Sequence, residues 1–275
     1  MASESANRGR GPEWELYAEH RRKFTQAVLS LAPATPGRLC VLGAGKCNDL
    51  DLASLSQAFR ELHLVDLDQA ALASGVARET PELRKQLVLH APVDLSVLGP
   101  KRKTKWQRRA PSASELEAAA DATLQGLLAR VPGPFDVVVS ACILTQLGFA
   151  LSQAFREPHP LLGPLRMSVV RTHLQTLLGL TAPNGSALFV SDLASSTHYP
   201  PLTQLPRDAD LSKVLRDIVA SRAFYQVARP DLLEDLLAEL AEAPPAPISP
   251  WLWTGPQERT YLVYGYEIRR NSATA

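Results

Sequence analysis

Apolar positions along this chain fall into two rhythms. Short, nearly continuous apolar runs recur at residues 39–42, 62–65, 87–90, 135–140 (FDVVVS) and 186–192 (SALFVSD). Such runs predict strands buried on both faces of a sheet. Between them the apolar residues take helical spacing. Trp14, Tyr17, Arg21 and Phe24 share one face of a segment at 13–34. Val170, Leu174, Leu177 and Leu178 form the stripe of a second helix, and Leu233, Leu236, Leu237 and Leu240 that of a third, opened by Pro230 and Asp231. Strand and helix patterns in alternation predict βαβ units with right-handed crossovers, hence an α/β fold with one doubly wound, mostly parallel sheet. After the proline-rich stretch APPAPISP, the runs PWLWTG and TYLVYGYEIRR are β-prone and predict an antiparallel hairpin on the sheet edge. The expected organisation is a loose tail at 1–12, an N-terminal helix at 13–34 read first as an amphipathic helix packed on the body and second as a lid, and an α/β domain at 35–270 carrying a basic insert at 98–113.

Composition changes this picture little. A chain of 275 residues with 45% hydrophobic and 21% charged residues is long enough for one large α/β core. A formal net charge of +1 gives no global attraction to nucleic acid or to a membrane. The opening MASESANRGRGP lacks the apolar run of a signal peptide, and the apolar stretch at 136–151 is broken by Ser140, Thr145 and Gln146, so a cytoplasmic protein is expected. Cys40, Cys47 and Cys142 have no metal-binding spacing and read as buried thiols, with no metal expected; Cys47 stands out because it falls in a glycine turn.

Candidate chemistry is concentrated in RLCVLGAGKCNDLDLASLSQAFRELHLVDLD, at 38–68. An apolar strand runs into Gly43, Ala44 and Gly45, a helical segment follows, and a second strand is closed by Asp66. Glycines let a backbone approach a ligand closely, and an acid at the end of the next strand accepts ribose hydroxyls; together they point to an adenosine-containing cofactor. Two plainer readings stand beside this one. The glycines serve any tight strand-to-helix turn, and Asp66 belongs to a helix cap together with Asp68.

Over roughly 37–192 these residues resemble the class I S-adenosylmethionine-dependent methyltransferases. Gly43 and Gly45 match the family's glycine loop, with Cys47 in place of the third glycine and Val41 where an acid is common. The strand-two acid falls on Asp66, followed by Leu67, and the adenine-side acid on Asp94. FDVVVSACILTQL looks like the fourth-strand motif, which places Ser140 and Cys142 in the cleft below the methyl group, and APNGSALFVSD resembles the turn into the fifth strand. The resemblance implies a Rossmann-like sheet of seven strands with the last antiparallel, S-adenosyl-L-methionine as cofactor, and contacts from Gly43, Ala44, Gly45, Asn48, Asp66, Leu67, Asp94, Ser140 and Cys142. Asn48 or Asp49 is left to hold the methionine amino group. The reaction implied is in-line transfer of a methyl group to an oxygen, nitrogen or sulfur of a small molecule, for which the protein supplies alignment and sometimes a base.

On the acceptor side, Trp14, Tyr17 and Arg21 of the N-terminal helix, Gln146, Tyr225 and Trp251 are expected around the pocket, with Trp253 as part of an aromatic wall. His198 and Tyr199, in the loop ASSTHYPP, are the candidate catalytic residues. His20, His63, His90, His159 and His173 receive no role. The run KRKTKWQRR, from Lys101 to Arg109, interleaves basic residues with a tryptophan; RNA binding is one reading and a solvated loop the favoured one. Two rival functions remain: an NAD-dependent oxidoreductase using the same glycine turn, and a non-catalytic RNA-binding protein of methyltransferase-like fold. The heptapeptide LSQAFRE occurs twice, at 55–61 and 151–157, with different flanks that exclude a repeat architecture.

Overall fold

The computed structural model describes residues 11–155, 158–241 and 243–270. Most of the expected N-terminal tail lies outside them. In chain order the main elements are helices α1 (Pro12–Leu16) and α2 (Ala18–Leu29), strand β1 (Gly37–Leu42), α3 (Leu52–Ala58), β2 (Phe59–Val65), α4 (Gln69–Ala77), α5 (Pro81–Arg84) and β3 (Leu87–His90). Then come α6 (Pro100–Arg108), α7 (Ala113–Arg130), β4 (Phe135–Ala141), α8 (Ile143–Ala154), α9 (Leu162–Leu180) and β5 (Thr181–Ser195). The chain closes with α10 (Leu211–Ser221), α11 (Pro230–Leu240), β6 (Ala246–Pro247), β7 (Trp251–Thr254) and β8 (Thr260–Arg269).

These strands build one sheet in the order β3-β2-β1-β4-β5-β8-β6, with β7 also paired to β8. β1 to β5 pair in parallel, and β8 runs antiparallel to β5. β6 and β7 lie along one side of β8, pairing with different parts of it, so eight strands occupy seven positions across the sheet. The fold is thus the Rossmann-like one the sequence pattern implies, and the expected terminal hairpin is β7–β8. The order in which strands are added reverses between β1 and β4, the switch point at which open α/β sheets bind ligands beyond the strand C-termini.

Period-two alternation splits the core between the two faces. Leu39 and Val41 of β1 join Val137 and Val139 in a cluster with Phe24 and Leu72 from the helices on one side. Cys40, Leu42, Val138 and Phe189 join Leu144, Leu174 and Leu237 on the other.

Four local departures from expectation have physical causes. The N-terminal helix is broken at Tyr17, which ends α1 and begins α2, while the Arg21 guanidinium donates to the Trp14 carbonyl at 3.0 Å. The turn APNG is a kink inside a longer β5: Asn184 is left-handed at φ 62°, and the pairing steps from Phe135↔Thr181 to Val137↔Ser186. The basic run is helix α6 and not a loop; Trp106, only 3% exposed, is its apolar anchor in the core. Both copies of LSQAFRE end a helix the same way: Ala58 and Ala154 close α3 and α8, and Phe59 and Phe155 follow in extended conformation, buried. No helix among the described residues is long and apolar enough to cross a membrane.

Candidate functional site

The turn after β1 is shaped by its glycines. Gly43 is left-handed at φ 81°, and a Cβ there would lie 2.6 Å from Cβ of Ile143, so the turn and the start of α8 touch only because a side chain is missing. Amides of Gly43 and Ala44 donate to the carbonyl of Val65, and the amide of Gly45 donates to Asp66 Oδ2 at 2.7 Å. Asp66 Oδ1 accepts the amide of Asp68 at 2.8 Å, while Asp68 itself caps α4 through Ala71. Both plainer readings of these residues are therefore partly realised: Asp66 orders the glycine turn and the entry to α4. Its carboxylate nevertheless also lines an open cleft of about 520 Å³ at the C-terminal ends of β2 and β3, together with Leu67, Asp94, Gln146 and Leu147. That is an ordinary size for a small-molecule site. Leu67 is 60% exposed there, an apolar surface left uncovered beside two carboxylates. Asp94 is held by the amide of Ser96 at 2.8 Å.

The next residues are clamped by the N-terminal helices. Cys47 is left-handed at φ 55° and buried, and burial pushes its thiol up to about 12, which removes it as a thiolate. The Asn48 side chain accepts from Arg78 at 2.9 Å, and its carbonyl accepts from Arg21 at 2.9 Å. Trp14 lies between these two guanidiniums, 3.5 Å from Arg21 and 4.5 Å from Arg78. Trp14 and Arg21, expected around an acceptor, are thus buried parts of the loop's support, and Asn48 is engaged by Arg78.

Beside this clamp the fold assembles a group that the pattern did not reveal. The His20 imidazole accepts the Trp251 indole N–H at Nδ1 (3.1 Å), which leaves the proton on Nε2, 3.4 Å from Asp49 Oδ1. Burial holds His20 down to about 3, so it stays neutral. The Trp253 indole donates to Asp192 Oδ1 at 3.4 Å, and its ring packs on Tyr17 at 4.8 Å, His20 at 4.8 Å and Tyr261 at 5.1 Å. Asp192 reaches this place at a bulge: β5 and β8 shift register between Asp192 and Ala194. Burial, then mutual repulsion, raises Asp49 to about 7; burial raises Asp192 to about 6. Asp49 keeps 22% of its side chain in contact with solvent. Cys142, left-handed at φ 49°, sits within reach of both carboxylates' fields, and its amide donates to Val190 at 3.0 Å. Among the described residues neither carboxylate is ion-paired to a lysine or arginine, and only the more distant Arg21 offsets the charge of Asp49 beneath the aromatic wall at the ends of β1 and β5. Trp251 belongs to this wall as a buried, 5% exposed prop for His20. His20 and Asp192 carried no sequence signal beyond a helical face and a strand end.

A second cavity, of about 540 Å³, opens on the other side of α8. His198, Tyr225, Ser195 and Thr145 line it. His198 Nδ1 meets Ser195 Oγ at 3.1 Å, and its ring stands edge-on to Tyr225 at 4.4 Å. Burial and Arg259 lower the imidazole, keeping it neutral at pH 7. Tyr199 packs instead against the core. Ser140 is a correction: it is fully buried, its hydroxyl meets His173 Nε2 of α9 at 2.7 Å, and it does not line the cleft. Trp106 is likewise buried and unable to stack on a base.

No family model matches the chain, and no curated protein matches it. Solved structures similar to it include the N-methyltransferase NodS from Bradyrhizobium japonicum, with 13% identity, 92% of this chain and 98% of that chain covered, and a TM-score of 0.44. The O-methyltransferase TomG from Streptomyces achromogenes, involved in tomaymycin synthesis, shares 12% identity over 95% and 91% of the two chains, with a TM-score of 0.43. A SAM-dependent methyltransferase from Methanosarcina mazei shares 10% over 89% and 97%, at 0.45. Function has to be read from the residues of the site.

Proposed function

We propose that this chain is an S-adenosylmethionine-dependent methyltransferase acting on an oxygen, nitrogen or sulfur of a small molecule. The observation that carries the reading is Asp66, which accepts the Gly45 amide of the glycine turn and, with Asp94 and the first turns of α8, lines one cleft beyond the C-terminal ends of the strands. In this reading Asp66 and Asp94 hold the ribose and adenine, Leu67 and Leu147 cover the base, and the Gly43–Ala44–Gly45 backbone leaves room for the chain that joins nucleoside to methionine. The residues fit the cofactor's charge as well. Burial raises both Asp49 and Asp192, with repulsion from Asp192 adding to Asp49, and a ligand bearing an ammonium and a sulfonium would supply the positive charge that favours their ionised forms.

When bound, S-adenosylmethionine supplies a methyl group on a positively charged sulfur. What the chain adds is orientation and water exclusion: Tyr17 and Trp253 wall the carboxylate pair, and α1–α2 close over the loop as a cover held by Arg21 and Trp14. His198, neutral and bonded through one nitrogen to Ser195, is the group suited to take a proton from an acceptor.

Calorimetric titration with S-adenosylhomocysteine and, separately, NAD tests this reading. Tight binding of the homocysteine compound, weakened about ten- to a hundredfold in Asp66→Ala by loss of a charge-assisted contact, is the expected result. Preference for NAD, or binding of neither, overturns it.

A further inference from the structure

The second cavity carries a charge pattern of its own. Arg222 and Arg259 line it with His198, Thr145, Thr197 and Tyr225, and none of its lining residues is acidic. Among the described residues neither Arg222 nor Arg259 forms an ion pair with a carboxylate, unlike Arg22, Arg109, Arg171 and Arg229. Arg259 lines the cavity together with His198 and Tyr225 and also bonds the Tyr261 hydroxyl beside it. Arg222 caps α10 in a left-handed conformation at φ 57°, where glycine is the cheap choice. Apolar surface lies beside these charges: Phe149, 66% exposed, and the buried Phe224 and Val227 complete the lining. Guanidiniums matched with hydroxyl groups are the donor set for a phosphate or carboxylate.

We infer that this cavity is the acceptor subsite and that it takes a small molecule with an apolar body and an anionic group, the anion held by Arg222 and Arg259. The acceptor role rests on the methyltransferase reading; the anion site stands on the cavity alone.

The test is titration followed by nuclear magnetic resonance, with phenyl phosphate, benzoate and phenol as probes, on the full chain and on Arg222→Gln, Arg259→Gln and the double variant. Expected is saturable binding of phenyl phosphate or benzoate, the stronger of the two naming the anion, with phenol at least about tenfold weaker. Each substitution should weaken the anion about tenfold and the pair about a hundredfold. No binding of either anion, equal binding of phenol, or binding unchanged in the double variant overturns the inference. S-adenosylhomocysteine titrated into the same samples reads the fold of the variants and the cofactor proposal separately. If it fails to bind while the arginine-dependent anion site persists, the methyltransferase reading falls and the anion site remains.

Discussion

The carboxylate of Asp66 accepts the amide proton of Gly45 at 2.7 Å, and this bond ties the end of β2 to the glycine turn that follows β1. One side chain thus orders the loop and faces the cleft. Asp66→Asn keeps an acceptor for one of its two backbone amides and removes the charge. We expect it to lower S-adenosylhomocysteine affinity about tenfold while costing under about 1 kcal/mol of stability, and Asp66→Ala to cost more in both. Paired calorimetry and denaturant unfolding check this.

Asp49 and Asp192 give the ligand-free protein a pH dependence of definite sign. Their folded pKa values, about 7 and about 6, lie above the ordinary 3.8, so the folded state binds more protons than the unfolded state across that interval. Stability contributed by these groups is present at low pH and is lost as pH rises through the folded values. Asp192→Asn should therefore stabilise the protein at pH 8 by about 2 kcal/mol and have little effect at pH 4. Cofactor affinity should move the opposite way in the wild type, increasing between pH 5.5 and 8 as the carboxylates ionise. Unfolding midpoints and titrations at a series of pH values measure both.

Gly75 of α4 faces the loop so closely that a Cβ would stand 2.4 Å from the Lys46 carbonyl oxygen. Backbone is the obstacle, so Gly75→Ala has to push α4 off the loop. A loss of about 1 to 3 kcal/mol and weakened S-adenosylhomocysteine binding are expected, against the small gain alanine normally brings to a helix. Thermal unfolding decides the sign.

Neutralising Lys101 and Lys103 on α6 should change stability by less than about 0.5 kcal/mol, since their ammonium groups lie at the surface. Trp106→Ala, on the same helix, should cost about 3 to 5 kcal/mol by opening a cavity in the core. If RNA instead bound through this helix, neutralisation would abolish a steeply salt-dependent affinity. Filter binding at low salt separates the outcomes.

Ser140→Ala removes the partner of His173 Nε2, in an imidazole whose Nδ1 already lacks one. A loss of about 1 to 3 kcal/mol with cofactor affinity unchanged is expected, because the pair is buried in the core and neither residue lines the cleft. A fall in cofactor affinity at equal stability would return Ser140 to the site.

Several of these residues show where sequence reading succeeds. Valines at 137–139 and the run 62–65 declare buried parallel strands because each such residue needs an apolar neighbour on its own face whichever helix supplies it. Gly43 and Asp66 were legible for a related reason: the turn and the strand end are local, and their spacing carries the geometry. The doubled LSQAFRE carried no such reading in the sequence; the fold shows that both copies end a helix at alanine and bury the following phenylalanine.

Ser140 and Trp14 mark where that reading stops. The sequence by itself determined the alternation of strands and helices and the spacing of the glycine turn and Asp66, because these follow from periodicity and short-range backbone sterics, whereas the spatial order of the strands, and with it the switch point, came with the fold. Only the tertiary structure decided that Ser140 turns to α9, that Trp14 and Arg21 brace the loop instead of facing a pocket, and that His20, Asp49, Asp192 and Trp253 converge. Their meeting depends on the packing of α2 against β7 and on the register bulge after Asp192. Contacts between segments far apart in the chain are chosen by how whole faces fit, and no single segment carries that information.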